Sequence, residues 1–197
     1  GGGEPVPRAL FEDSSVQGSI ERSSEPTVVR SRYVALNLDL LQSTDGMPHD
    51  LAAEGYTLVL NLFDDAALTA VLDSVEEAYG GGFVWTGQVQ DEPFSLVTLA
   101  VNDGVMAGTV LLAPDVYELS YAGNGVHTVA EIDQSAFPPE AEPIGVDLPE
   151  GTLADAVPTT VADDGSIIDV MVVYTPAAQS AEGGTTPMLN LINDAIN

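Results

Sequence analysis

The stretch Phe83 to Leu112, FVWTGQVQDEPFSLVTLAVNDGVMAGTVLL, constrains the fold of this chain more than any other, because its pattern specifies three consecutive strands. Phe83, Trp85, Gly87 and Val89 alternate with Val84, Thr86, Gln88 and Gln90, a period of two that places the first set on one face of a sheet. Pro93 breaks the run. From Phe94 to Val101 the residues are almost continuously apolar, the pattern of a strand covered on both faces. Asn102-Asp103-Gly104 tolerates positive φ and allows a tight reversal into Val105 to Leu112.

The flanking sequence extends this meander. Val34, Leu36, Leu38 and Leu40 alternate with Ala35, Asn37 and Asp39 as a half-buried strand, and Tyr56 to Phe63 reads as another. Beyond Leu112, Pro114-Asp115 and Gly123-Asn124-Gly125 are turns around strands at Val116 to Tyr121 and Val126 to Ile132. Between them, Ala66 to Tyr79 carries Leu68, Val71, Leu72, Val75 and Tyr79 at helical spacing. Asp64-Asp65 offers an N-cap and Gly80-Gly81-Gly82 a stop, so a helix lying on the sheet is expected here. The expected class is α+β: an antiparallel β-rich domain over 27–136, with about seven strands and one packed helix. Residues 1–26 form a Gly/Pro/Ser/Glu-rich leader, in which Ala9-Leu10-Phe11 can dock as an edge strand.

Composition shifts at Phe137. Residues 137–166 carry Pro138, Pro139, Pro143, Pro149 and Pro158, several acids including Asp163-Asp164, and no sustained apolar alternation, which reads as an extended linker open to processing. Ile167 to Tyr174 (IIDVMVVY) then resembles a buried strand ended by Thr175-Pro176. Thr186-Pro187 caps a helix containing Met188, Leu189, Leu191, Ile192 and Ile196. One strand and one helix cannot bury their own apolar faces, so 167–197 is expected to be the start of a second, incomplete domain. The absence of an initiator Met likewise reads as a cut or truncated beginning at Gly1.

Charge bounds the partners. The 197 residues hold 31 acids against 4 Arg and no Lys, a formal −27, and from Tyr33 onward the only possible cations are His49 and His127. Such a surface repels nucleic acid and anionic membrane, and an acidic coat suited to high salt explains it. Calcium binding is the rival explanation, but no D-x-[DN]-x-[DN]-G loop is present. The zero Cys count excludes disulfides, thiolate nucleophiles and thiolate metal ligands. No apolar run reaches the ~18 residues of a spanning helix.

The residues for a catalytic site are hard to assemble. His127 and Glu131 lie four apart in a strand, about 13 Å, which is too far to share a metal. H-E-x-x-H, G-x-S-x-G and P-loop motifs are absent, and Gly80-Gly81-Gly82 precedes a strand rather than a helix that could hold phosphate. Asp64-Asp65, Glu76-Glu77 and Asp163-Asp164 read as solvated charge rather than an acid/base pair. Trp85 and Phe94, which can form a sugar platform, are equally explained as core. By these residues the chain is not expected to be a catalyst, and no catalytic or metal-binding residue is assigned within it.

Two segments do match a known pattern. Val84-Trp85-Thr86-Gly87-Gln88-Val89, Glu92-Pro93, Ser95 to Leu99, Asn102-Asp103-Gly104 and Met106-Ala107-Gly108 resemble the propeptide of reprolysin-like zinc metallopeptidases. The positions that carry the pattern are Trp85, Gly87, Pro93, Ser95, Gly104 and Gly108, and Tyr117 with His127-Thr128-Val129 fits the end of the same module. Ile168 to Ala178 followed by Ile192 to Asn197 resembles the opening strand and helix of the bacterial catalytic domain in that metzincin group, through Asp169, Val172, Tyr174, Thr175 and Pro176. The resemblance implies the pro-region of a secreted, extracellular zinc endopeptidase, aiding folding and covering the active site. Its partner would be its own catalytic domain. Zinc and the H-E-x-x-H-x-x-G-x-x-H motif would belong to the parent protein beyond Asn197. One departure is that related animal propeptides silence zinc with a cysteine thiolate, which this chain lacks. The alternative is a non-catalytic β-sandwich binding or adhesion module of an acidic extracellular protein.

If the −27 charge is a salt adaptation, screening relieves repulsion and thermal stability rises steeply with added NaCl. Calorimetric melts across a NaCl series test this, and an unchanged Tm refutes it.

Overall fold

The structure, a computed structural model, describes residues 9–14, 25–49, 57–139 and 170–197. Its strands are β1 (Phe11–Asp13), β2 (Val28–Leu36), β3 (Thr57–Phe63), β4 (Ala66–Glu77), β5 (Phe83–Val89), β6 (Leu96–Asn102), β7 (Val105–Leu112), β8 (Asp115–Gly123) and β9 (Val126–Ile132). They form one sheet in the order β1-β2-β9-β8-β7-β6-β5-β4-β3, every pair antiparallel. From β3 to β9 each strand pairs with the next in sequence. Short turns make this possible: Asp103 (φ 49°) and Gly104 (φ 77°) reverse the chain between β6 and β7.

The sheet curls until its ends nearly meet. Leu10 N donates to Val59 O at 2.9 Å, and the Asn61 side chain accepts from Phe11 N at 3.0 Å and donates to Phe11 O at 2.8 Å, joining the β1 edge to β3. Further along the seam, β2 reaches β3 through arginine. Arg32 donates from Nε to Leu62 O at 2.6 Å, from a second guanidinium nitrogen to Asn61 O, and from a third to Asp13 at 3.0 Å. Arg30 pairs with Asp65 at 2.7 Å and Glu131 at 2.6 Å, and its guanidinium lies 4.1 Å from the centre of the Phe63 ring. These two are the only Arg or Lys among the described residues.

Closure gives the inward faces a common interior. One apolar core takes side chains from all nine strands, including Phe11, Val34, Leu60, Leu72, Trp85, Leu99, Val110, Leu119 and Val129. Trp85 is fully buried, and its cross-strand row continues through Leu99 to Gly108. A Cβ on Gly108 would stand 2.6 Å from Thr98 O, and one on Gly87 would stand 2.2 Å from Val71 O. Both glycines therefore permit close backbone approach.

The expected helix over Ala66 to Tyr79 is instead strand β4, and Asp64-Asp65 is a two-residue hairpin turn rather than an N-cap. The cause lies in a bulge. Leu72 opposes Gly87 and Ser74 opposes Thr86, so Asp73 is extra and the alternation changes phase. Leu68, Leu72 and Val75 consequently all face the core at spacings of four and three, which imitates a helical stripe. Pairing on both sides, with β3 and β5, overrides that local signal. The Ala9-Leu10-Phe11 patch does dock, as β1, with Leu10 and Phe11 buried.

Two helices follow: α1 (Pro176–Ala181), capped by Thr175 Oγ1 accepting from Ala178 N at 3.1 Å, and α2 (Thr185–Ile196). The second starts at an N-cap of Gly184, so Thr186 and Pro187 lie inside its first turn rather than at cap and N1. Residues Gly1–Phe137 and Tyr174–Asn197 form one compact unit, and Pro138–Val173 form another. Of the expected strand Ile167 to Tyr174, residues 170–174 adopt no strand and Val170 to Tyr174 are exposed, with no strand among the described residues paired to them. Residues 167–169, the greater part of the linker and most of the leader lie outside the described residues.

Arg32→Ala removes two charge-assisted bonds to seam carbonyls, a loss of about 2–3 kcal/mol. The expected fall in Tm is roughly 5–10 °C by calorimetry, and a fall below about 2 °C would show that the seam does not depend on Arg32.

Candidate functional site

With the inward face consumed by packing, recognition is left to the outer face, and α2 already occupies part of it. The strands β6, β7 and β8 turn Thr98, Ala100, Ala107, Thr109 and Glu118 outward, and α2 lies across them, burying Met188, Asn190 and Asn193. This cover explains why β6 is buried on both sides from Val97 to Val101, as its apolar run implied. Phe94, expected at the start of that buried run, is instead 98% exposed in the β5–β6 turn.

The contact is notably polar. Asn193 accepts from Tyr79 N at 2.9 Å and donates to Tyr79 O at 3.0 Å, so one amide reads both backbone groups of a residue in the β4–β5 connection. Asn190 donates to Val105 O at 2.9 Å. Thr109 Oγ1 donates to Asp194 Oδ2 at 2.7 Å. The side-chain oxygen of Asn190 and the second Asp194 oxygen, Oδ1, are buried without a hydrogen-bond partner. Leu189 adds an apolar contact over Gly80, where an added Cβ would stand 2.7 Å from it.

Electrostatics sharpen this site. Burial pushes the Asp194 carboxyl up to about 6; Thr109 pulls it partly back, and Glu118 repels its charge. Glu118 is itself raised, first by burial and then by Glu25. On the inner side, His127 is buried, accepts from Met106 N at 3.0 Å through Nε2, and meets the Tyr121 ring edge-on at 5.3 Å. Its Nδ1 makes no hydrogen bond of normal geometry. Burial lowers the His127 pKa to about 4, with a weaker opposing pull from the Gly125 backbone.

The motif residues do not converge on a site. Trp85 lies in the core, Gly87 beside the β4 bulge and Gly108 against β6, while Gly104 completes a hairpin. Pro93 is exposed in the β5–β6 turn. Ser95 closes that turn, donating to Glu92 O at 2.6 Å and accepting from Val89 N at 2.7 Å. All six serve the meander. Thr175 and Pro176 cap and start α1, Val172 and Tyr174 are exposed in irregular chain, and Asp169 lies outside the described residues. Among the described residues, no three His, Asp or Glu side chains form a metal-binding group.

Sequence reasoning did not single out Asn190, Asn193 or Asp194. Their signal was available: three polar residues at spacings of three and four interrupt the apolar stripe of the C-terminal helix and so share one face. No family model, no curated protein and no solved structure matches the chain.

The folded pKa of His127 lies below its unfolded value, so its contribution is full above about pH 6.5 and is lost as pH falls toward 4. At most about 3 kcal/mol is at stake. Denaturant unfolding followed by fluorescence of Trp85, the single Trp, is expected to show falling stability across that window. His127→Gln should flatten the slope, and an unchanged slope would assign the acid sensitivity elsewhere.

Proposed function

We propose that this chain is the N-terminal pro-region of a secreted zinc metalloendopeptidase precursor, a folding aid and active-site cover that contains no zinc ligand of its own. The observation that carries this reading is the seating of Thr185–Ile196 on the outer face of the barrel. That segment falls within the part of the sequence that resembles the start of a metzincin catalytic domain. A pro-region must hold its protease in cis, and a rigid closed sheet with a polar outer face suits that task. Val170 to Tyr174 fits the same reading, because an opening strand has no sheet to join until the rest of a catalytic domain supplies one.

A second reading, a β-rich binding or adhesion module, is favoured by the exposed Phe94 and by Val71, Leu96 and Leu111, which are partly exposed on the outer face.

The experiment adds the 197-residue chain in trans to the mature protease, which on this reading begins within 167–197 and runs on past Asn197. Slower peptide hydrolysis or a higher refolding yield is expected. If neither changes, or if further β modules and no zinc motif lie downstream, the pro-region reading fails and the adhesion reading takes its place.

A further inference from the structure

Helix α2 is held by hydrogen-bonding side chains as well as by the buried Pro187 and Met188, and one of its polar groups is a buried carboxylate that Thr109 alone supports. Asp194 Oδ2 accepts from Thr109, yet Oδ1 is buried with no partner. Among the described residues the neighbours supply no cation. The strands β6 and β7 contain no ionisable residue at all, and β8 presents Glu118, the cross-strand partner of Thr109. Glu25 adds a further negative charge near Glu118. On α2 itself the buried polar side chains are the amides of Asn190 and Asn193. Arg30 and Arg32, the only described cations besides the two histidines, are engaged at the seam.

We infer that α2 and the outer face of β6–β8 form a proton-gated latch: the helix is held when Asp194 carries a proton and is loosened when Asp194 ionises beside Glu118. The inference stands on the barrel and its helix alone, not on the pro-region reading. In the closed state the proton makes one Asp194 oxygen a donor and removes its charge, while the other oxygen keeps the Thr109 bond. In the open state the carboxylate is hydrated and Thr109 bonds water. The Asn193 and Asn190 bonds set the position of the helix, and the carboxyl sets the pH at which it lets go.

The sign is fixed by the direction of the shift. A carboxyl whose docked pKa stands near 6, above the ordinary 3.8, favours docking at low pH, and that advantage fades as pH rises from about 4 through 6. This runs opposite to His127, whose protonation weakens the whole barrel in the same window. Opening of the helix and unfolding of the barrel are therefore separable by direction.

The test is hydrogen exchange on the 197-residue chain at pH 5 and pH 7.5 in constant salt, with rates corrected for intrinsic exchange. Protection of the α2 amides is expected to fall by about tenfold at the higher pH, while β6 and β7 amides hold or gain. Asp194→Asn should remove the dependence. In the wild-type chain the Asp194 carboxyl carbon should titrate near pH 6 by NMR, a reading that requires no variant. Equal protection at both pH values, a dependence that survives Asp194→Asn, or an Asp194 titration in the ordinary carboxylate range overturns the latch. None of these results bears on inhibition or refolding of a downstream protease.

Discussion

The fold depends on closing one seam. A nine-stranded sheet left open would expose two edges, each a row of unpaired backbone groups able to recruit another chain. Here β1 covers part of the gap, and the guanidinium of Arg32 satisfies the Asn61 and Leu62 carbonyls where no strand reaches them. Arg30 ties the β3–β4 turn to β9 through Asp65 and Glu131 and stacks on Phe63. Each exposed ion pair contributes little by itself. Bonds from a charged donor to edge carbonyls are stronger, because they replace ladder bonds that geometry denies. In a chain with 31 acids and 4 Arg, placing two of those Arg at the seam concentrates attraction where repulsion would otherwise pry the sheet apart.

Closure also divides labour between the two faces. The interior is taken up by Trp85, the leucines and the aromatic residues of nine strands, packed around glycines that let strands approach. The outer face is free to differ from it. Where α2 lies, that face is lined by small and hydroxyl side chains, and the helix answers with amides and a carboxyl beside the buried Pro187 and Met188. A contact of this kind trades strength for responsiveness, since amide bonds fix geometry while a desolvated carboxyl makes the association depend on protons.

Much of the sheet was legible because alternation survives in β5, β7, β8 and β9, and because Asn102-Asp103-Gly104 and Gly123-Asn124-Gly125 have the chemistry of tight turns. β4 was misread for a physical reason. A single extra residue, Asp73, shifts the phase of the strand, so Leu68, Leu72 and Val75 share a face at helical spacing although the backbone is extended. Nothing local distinguishes the two conformations; the partners Thr57–Phe63 and Phe83–Val89 do. The helix site was harder still. Asn193 meaning "bond to Tyr79" requires knowing that residues 114 apart meet. Ser95 and Gly87 stood out through a resemblance, and their positions have sufficient structural cause in a turn and a bulge.

The strand order sets a timetable for synthesis. Every neighbour pair from β3 to β9 is consecutive, so those seven strands can zip together hairpin by hairpin as they emerge. β2 is made early but pairs with β9, Val28 meeting Ile132 about a hundred residues later, and Arg30 finds Glu131 across 101 positions. Within this sheet the two earliest strands are thus the last to be placed. Until β9 leaves the ribosome, the two seam arginines wait as two of the four Arg on a growing acidic chain, and barrel closure becomes a late event triggered by the arrival of Val126–Ile132.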